Sequence, residues 1–163
     1  LDFSALELGS ASLNVTRFDF VELVQTVAGR LLIDTPETNF ELQYELPERK
    51  AFVWTDRRRM EQILDNLIVN AKKNVRPGGI LRLELTEDGG VLHFSMFNQG
   101  RPIPESDLPE IWTKFYRNSG ADYNGSGLGL SIVAQILSMQ ELPYGAENRT
   151  DGVRFWFSIP VVE

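Results

Sequence analysis

The sequence contains no cysteine and only one histidine. Without cysteine there is no disulfide framework, no thiolate zinc site and no cysteine nucleophile, so a reducing, cytoplasmic setting is expected. One histidine excludes a metal site built from several imidazoles. No apolar run approaches the ~20 residues of a membrane-spanning helix, and the first residues lack the pattern of a signal peptide. We therefore expect no segment that crosses or is targeted to a membrane.

The residues that are present are typical of a globular domain. The 163 residues are 42% apolar and 24% charged, which predicts one compact domain, or one domain with a short appendage. The 23 acidic and 16 basic residues leave a net charge of −7, which argues against nucleic acid as a partner. Any anionic ligand must then be bound by local geometry. Because the chain opens with Leu1 and not with methionine, we expect a fragment of a longer protein.

The periodicity of apolar residues predicts an α+β fold. The predicted elements are a helix over 18–33 capped near Asp19, two short strands within 40–54, a helix from its cap Asp56 to about Asn74, a hairpin over 81–96, a short helix near 107–112, a helix from Gly127 to before Pro143, and a closing hairpin. Helices and hairpins are grouped and do not alternate strictly. We therefore predict a two-layer α/β sandwich, with a mixed, largely antiparallel sheet covered by helices on one face.

The helix from Asp56 to Asn74 carries a polar row beside its apolar stripe. The apolar stripe consists of Met60, Ile63, Leu64, Leu67 and Ala71. The polar row consists of Asn66, Asn70, Lys73 and Asn74. The far side of the helix, which is expected to be solvated, carries Glu61, Asp65 and Lys72. Amide oxygens at the rim of a cleft suit a hard cation, and an ammonium group suits phosphate. The row is equally consistent with the polar flank of a surface helix.

A glycine-rich segment precedes the next predicted helix. It comprises Gly125, Ser126, Gly127, Leu128, Gly129 and Leu130. Bare backbone amides at a helix amino end favour an anion, most simply phosphate. Ser126 stands where a Walker loop requires lysine, and no strand leads into the segment as in a dinucleotide fingerprint. A flexible linker into the helix is an equally good interpretation.

The segment from Asn98 through Gly100 to Ile103 follows the end of a predicted strand. Asn98 can accept a hydrogen bond from an exocyclic amino group and donate one to a ring nitrogen, as adenine recognition requires. A plain turn from strand to loop is the alternative.

Four segments follow one another along the chain: Asn66 to Ala71, Asn98 to Pro104, Ile111 to Arg117, and Gly125 to Leu130. In order and spacing they resemble the boxes of the ATP-binding catalytic domain of sensor histidine kinases, a GHKL-type domain with the Bergerat-type ATP-binding fold. Residues 6–8 and 18–23 are similar to the family's exit from the dimerisation helix, and 143–148 faintly resemble the vancomycin-resistance sensor subgroup. The resemblance implies a dimerisation-helix end and linker over 1–16 and the catalytic domain over 17–163.

The resemblance also implies a role for each matched residue. It makes Asn70 the Mg²⁺ ligand with Asn66 beside it, both catalytic, and it places Asn98 at the adenine. The implied ATP-binding residues are Asn66, Asn70, Lys73, Asn74, Asn98, Gly100, Ile103, Phe115, Arg117, Gly125, Ser126, Gly127, Leu128, Gly129 and Leu130, with 118–124 as the lid. Three residues depart from the family pattern. Asn98 replaces an aspartate, Pro102 a glycine and Asn74 an aromatic residue, and loss of the charged acceptor is expected to soften adenine affinity.

Asn66 also bears on the reaction. Relatives that hydrolyse ATP carry a glutamate at this position, as the base that activates water, whereas an amide cannot take a proton at neutral pH. The resemblance therefore implies phosphoryl transfer to a histidine. His93 is the one histidine present and is expected to be structural, so the acceptor histidine is expected on a dimerisation domain outside the fragment.

The resulting hypothesis is the ATP-binding catalytic domain of a two-component sensor histidine kinase. Its expected partners are ATP, its own dimerisation domain and a response regulator, and not nucleic acid, in a homodimeric, membrane-anchored parent protein with this domain in the cytoplasm. The alternatives are an anti-sigma-factor-type serine kinase and a non-catalytic interaction module with a degenerate nucleotide site.

Overall fold

The computed structural model describes residues 12–36, 39–113 and 129–163. The strands of this part are β1 (Val15–Asp19), β2 (Phe40–Glu45), β3 (Phe52–Asp56), β4 (Gly79–Asp88), β5 (Val91–Gln99), β6 (Tyr144–Arg149) and β7 (Gly152–Pro160). Its α-helices are α1 (Phe20–Ala28), α2 (Arg57–Asn74) and α3 (Gly129–Met139). A π-helical segment spans Gly29–Ile33, and a 3₁₀ helix spans Glu105–Glu110.

The central layer is a five-stranded sheet with the order β2-β4-β5-β7-β6. β2 runs parallel to β4, whereas the other neighbours are antiparallel. One face is apolar and buried, because alternate residues of the long strands point to it. Its residues include Leu81, Leu83, Leu85, Phe94, Met96, Val153, Phe155 and Phe157. The predicted α+β fold, its two hairpins and its mixed sheet are confirmed.

α2 packs its apolar stripe into this core. All five predicted stripe residues are buried, and Ile68 joins them. The helix begins where predicted, because the Asp56 carboxylate accepts a hydrogen bond from Arg59 N at 3.1 Å and caps the first turn. It ends at Asn74, three residues before Pro77.

The region before α2 differs from the prediction in two respects. β1 was missed by the sequence reasoning, and it pairs with β3 in a separate two-stranded sheet. The predicted helix over 18–33 begins later, at Phe20 after its cap Asp19, and its α-helical part ends at Ala28. The last five residues instead form the wider π turn. The expected boundary between residues 16 and 17 lies inside β1, and the division into two domains stays a prediction.

The π-helical segment covers the side of α2 that was expected to be solvated. Arg30 forms an ion pair with Asp65 at 2.8 Å and lies 3.7 Å from Glu61, while Lys72 Nζ donates to the carbonyl of Leu31 at 2.8 Å. The side expected to be solvated is therefore partly covered and partly solvated, since the Glu61 and Asp65 side chains remain 44% and 38% exposed. The cause is tertiary, because the covering segment lies more than thirty residues away in sequence.

The short helix predicted near 107–112 is the 3₁₀ helix over Glu105–Glu110, and Trp112 follows it. Trp112 packs edge-on against Phe155 and Tyr144, with ring centroids at 5.8 and 5.0 Å. In the described residues, no helix is both long and apolar enough to span a membrane.

Candidate nucleotide site

Asn98 lies on the apolar face of the sheet, near the end of β5. Its neighbours in register are Leu81 on β4 and Val153 on β7, and all three residues are fully buried. Neither Oδ1 nor Nδ2 of Asn98 has a hydrogen-bond partner among the described residues. A buried unpaired amide costs roughly 1–3 kcal/mol, so such groups are rare in proteins. The Asn98 amide thus fits a ligand that supplies one donor and one acceptor.

Asn148 fastens the loop that follows Asn98, and sequence reasoning gave it no role in the site. Its Oδ1 accepts a hydrogen bond from Ile103 N at 2.9 Å, and its Nδ2 donates to Ile103 O at 2.8 Å. Ile103 is only 1% exposed. The predicted site residue Ile103 is therefore held over the sheet, next to the row that contains Asn98. In the sequence, Asn148 stands out only as the end of the resemblance over 143–148, which has no bearing on this contact.

Gly100 brings the end of β5 against the end of α2. A methyl group at this position would lie 2.6 Å from the carbonyl oxygen of Asn74, so only glycine fits without a shift. Arg76 N also donates to Gln99 O at 2.9 Å. Two segments that were identified separately in the sequence therefore meet in space.

The polar row of α2 lies beside its buried stripe, as predicted. Asn66, Asn70 and Asn74 are half-buried, whereas Lys73 is exposed. Asn74 Nδ2 donates to the Asn70 carbonyl at 2.8 Å and lies 3.4 Å from Asn70 Oδ1. The described residues contain no cluster of three or more histidine, cysteine, aspartate or glutamate side chains suited to a metal ion. A divalent cation here would thus be held by amide oxygens together with oxygens of a ligand.

The amino end of α3 faces the same row. A methyl group at Gly129 would lie 3.7 Å from Asn66 Oδ1, which is ordinary van der Waals contact. Leu130, the next residue of α3, is half-buried and packs against the core. The other predicted residues of this region, Phe115, Arg117, Gly125, Ser126, Gly127 and Leu128, lie outside the described residues, as does the expected lid.

Comparison with known proteins identifies the domain. Residues 55–163 match the family described as histidine kinase-, DNA gyrase B-, and HSP90-like ATPase, and this range includes α2, Asn98 and α3. The chain belongs to this family. Among its members it is an ATP-binding domain of the sensor histidine kinase type, as the following relatives show.

The sensor protein VanSB of Enterococcus faecalis is 34% identical over 111 residues, which cover 66% of this chain and 25% of VanSB. The catalytic domain of the histidine kinase ThkA is 30% identical with a TM-score of 0.79, covering 90% of this chain and 97% of that one. Full-length ShkA in complex with AMPPNP is 25% identical with a TM-score of 0.81, covering 98% of this chain and 34% of that one.

A further structure shows ThkA in complex with the response regulator protein TrrA. It is 27% identical with a TM-score of 0.79, covering 98% of this chain and 46% of that one. The chain spans only 20% to 27% of the length of the first curated relatives that it matches.

The single histidine of this kinase-type domain lies on the opposite face of the sheet. His93 pairs in register with Ser158, and its Nδ1 lies 2.8 Å from Ser158 Oγ. Leu92 and Phe94, its neighbours along β5, are buried in the core. Because successive side chains alternate between faces, the sheet separates His93 from Asn98 and from the row on α2.

Proposed function

We propose that this chain binds Mg²⁺-ATP and transfers the γ-phosphoryl group to a histidine of a dimerisation domain. The observation that carries the proposal is the Asn98 amide, which is fully buried, has no partner among the described residues and lies where α2 and β5 meet. A purine base supplies the donor and the acceptor that this amide lacks.

The polar row places groups of suitable chemistry beside the base position. Asn70 is proposed to bind the cation through its amide oxygen, and Lys73 to approach the phosphates with its exposed ammonium group. When bound, Mg²⁺ neutralises charge on the phosphate oxygens. The proximity of Gly129 to Asn66 supports a phosphate position between α2 and the amino end of α3, where backbone amides favour anions.

Asn66 supports transfer rather than hydrolysis. Its amide cannot accept a proton from water at neutral pH, so it cannot serve as a general base. Phosphoryl transfer depends mainly on positioning and on neutralisation of charge, which this set of side chains can provide.

The location of His93 supports an acceptor outside this chain. His93 is held by Ser158 on the face of the sheet opposite to that of Asn98. A phosphoryl group positioned near Asn70 of the same chain therefore lies across the sheet from His93. We propose that the acceptor histidine belongs to the parent protein's own dimerisation domain.

The relatives support the remaining partners. VanSB is named a sensor protein, and ThkA has been crystallised with a response regulator. We propose by analogy that the parent protein is a homodimeric, membrane-anchored sensor that passes its phosphoryl group to a response regulator.

Nucleotide binding tests the first half of the proposal. Binding of AMPPNP would be measured by calorimetry with and without Mg²⁺, for the native chain and for Asn70→Ala. We expect Mg²⁺ to strengthen binding to the native chain and to have little effect on the variant, because the amide ligand is gone. Asn14→Ala is the matched control, since Asn14 lies before β1 and outside the row. Equal Mg²⁺ dependence in both proteins would contradict the role of Asn70.

Transfer tests the second half. The chain would be mixed with a separately produced dimerisation domain of the parent protein and with ATP labelled at the γ-phosphate. Acid-labile, base-stable label on the partner would indicate phosphohistidine. Label on serine would instead favour the anti-sigma-factor type of kinase. Nucleotide binding without any label on the partner would favour a non-catalytic interaction module.

A further inference from the structure

The part of the chain that the structure describes does not determine the orientation of the Asn98 amide. Neither its Oδ1 nor its Nδ2 forms a hydrogen bond with the described residues, and both atoms are buried. Its neighbours in register, Leu81 and Val153, are apolar and cannot prefer one orientation of the amide over the other. By contrast, the N–H and C=O groups of Ile103 determine which way the Asn148 amide points.

An amide without a determined orientation can match two patterns of purine edge. Adenine presents the acceptor N1 and the donor N6–H, which pair with Nδ2–H and Oδ1 respectively. A 6-oxopurine presents the reverse pattern, with O6 as acceptor and N1–H as donor. Rotating the Asn98 amide by half a turn exchanges its donor and its acceptor, so the same side chain pairs with either edge.

We propose that Asn98 makes this domain permissive for the base, so that it binds 6-aminopurine and 6-oxopurine triphosphates with similar affinity. The proposal rests on the proposed function, because it assumes that the base lies at Asn98. The Asn98 amide adds a second hydrogen bond to either base, which an aspartate at the same position would not provide. An ionised carboxylate only accepts hydrogen bonds, so it pairs with N6–H of adenine or with N1–H of an oxopurine and leaves the neighbouring acceptor of the base, N1 or O6, unpaired.

The decisive comparison is between ATP and ITP. The base of ITP differs from adenine in having O6 in place of the amino group and a proton on N1, and it lacks the 2-amino group that GTP would add. Each nucleotide would be titrated in the presence of Mg²⁺ into the native chain and into Asn98→Asp, with dissociation constants measured by calorimetry.

For the native chain we expect dissociation constants for ATP and ITP that agree within about threefold. For Asn98→Asp we expect the ATP and ITP dissociation constants to shift together, because the carboxylate accepts one hydrogen bond from either base and leaves one acceptor of either base unpaired. A tenfold or larger preference for ATP in the native chain would overturn the inference and leave the proposed function intact. If the native chain bound neither nucleotide, the proposed function would fail as well.

The inference does not depend on the stability of the variant. A buried aspartate without a partner raises the cost of folding, so thermal unfolding of Asn98→Asp would be measured first. If that variant does not fold, the ratio for the native chain decides alone. Asn14→Asp is a matched control, because the same exchange there alters an exposed amide that lies before β1 and outside the site. It is expected to leave both dissociation constants unchanged, and a shift of either would count against the assignment to Asn98.

Discussion

Asn98 and Asn148 occupy one row of the sheet and have opposite environments. Each is in register with Val153, Asn98 from β5 and Asn148 from β6, so they lie about 10 Å apart, two strand spacings. Asn148 uses both amide atoms to hold the backbone of Ile103, whereas Asn98 is fully buried and uses neither within the described residues.

The difference shows how one residue type can serve stability at one position and binding at another. When both atoms of a buried amide are hydrogen-bonded, these hydrogen bonds contribute little more free energy than desolvation of the amide costs. Removal of the Asn148 amide nevertheless leaves two backbone groups unpaired. An unsatisfied amide costs free energy of folding that only a ligand can recover. Residues that destabilise the empty protein in this way are candidates for recognition.

The largest loss of stability is expected from a change that forces β5 and β7 apart beside Asn98. In Gly152→Ala the new methyl carbon would lie 2.2 Å from Asn98 O and 2.8 Å from the ring of Phe97. β5 and β7 would have to separate, so we expect a loss of about 3 kcal/mol in the free energy of unfolding, measured with urea. Gly29→Ala is the control, because no atom lies within 4 Å of its new methyl group. Similar losses in the two variants would show that the close approach is unimportant.

Removal of the Asn148 amide, whose two atoms are both hydrogen-bonded, should cause the second largest loss of stability. Asn148→Leu leaves Ile103 N and O without their partners, and we expect a loss of about 2 kcal/mol in unfolding free energy. Nucleotide affinity should also fall, because the loop that carries Ile103 is released. Amide hydrogen exchange at Ile103 would check the local cause. An unchanged exchange rate would contradict the clamp.

Removal of the Asn98 amide should change the free energy of unfolding in the opposite direction. Asn98→Leu replaces a buried group that has no partner in the described ranges by an apolar one of similar size, so we expect unchanged stability or a gain of up to about 1 kcal/mol. ATP affinity should nevertheless fall at least about tenfold. Destabilisation as large as that of Asn148→Leu, measured in the same urea titration, would remove the distinction between the two asparagines.

The smallest change in the free energy of unfolding is expected from an ion pair on the other face of the sheet. Glu147 and Arg154 are the sequence neighbours of Asn148 and Val153, and they form an ion pair at 2.8 Å with side chains 46% and 26% exposed. Glu147→Gln should reduce the free energy of unfolding by about 0.5 kcal/mol, less at high salt. A loss that matched Asn148→Leu and persisted at high salt would show that charge, and not the amide clamp, holds this end of the sheet.

The sequence predicted those features of the site that depend only on residues close together in the chain. The polar row of α2 follows from helical spacing, and the chemistry of Asn98 follows from its residue type. The burial of Asn98 and the clamp by Asn148 were not predicted, because they depend on strands 45 or more residues apart in sequence coming into register. The same applies to β1, whose partner β3 lies more than thirty residues further along the chain.

The sequence by itself determined the elements whose signals lie within a few residues of each other. The cap at Asp56, the apolar stripe of α2 and the alternating hairpin strands are of this kind, because capping and periodicity act over short stretches of chain. Only the tertiary structure decided which strands are neighbours and which polar groups lose water. Burial and hydrogen-bond satisfaction depend on the whole chain, and for that reason two asparagines of the same sheet came to differ so completely.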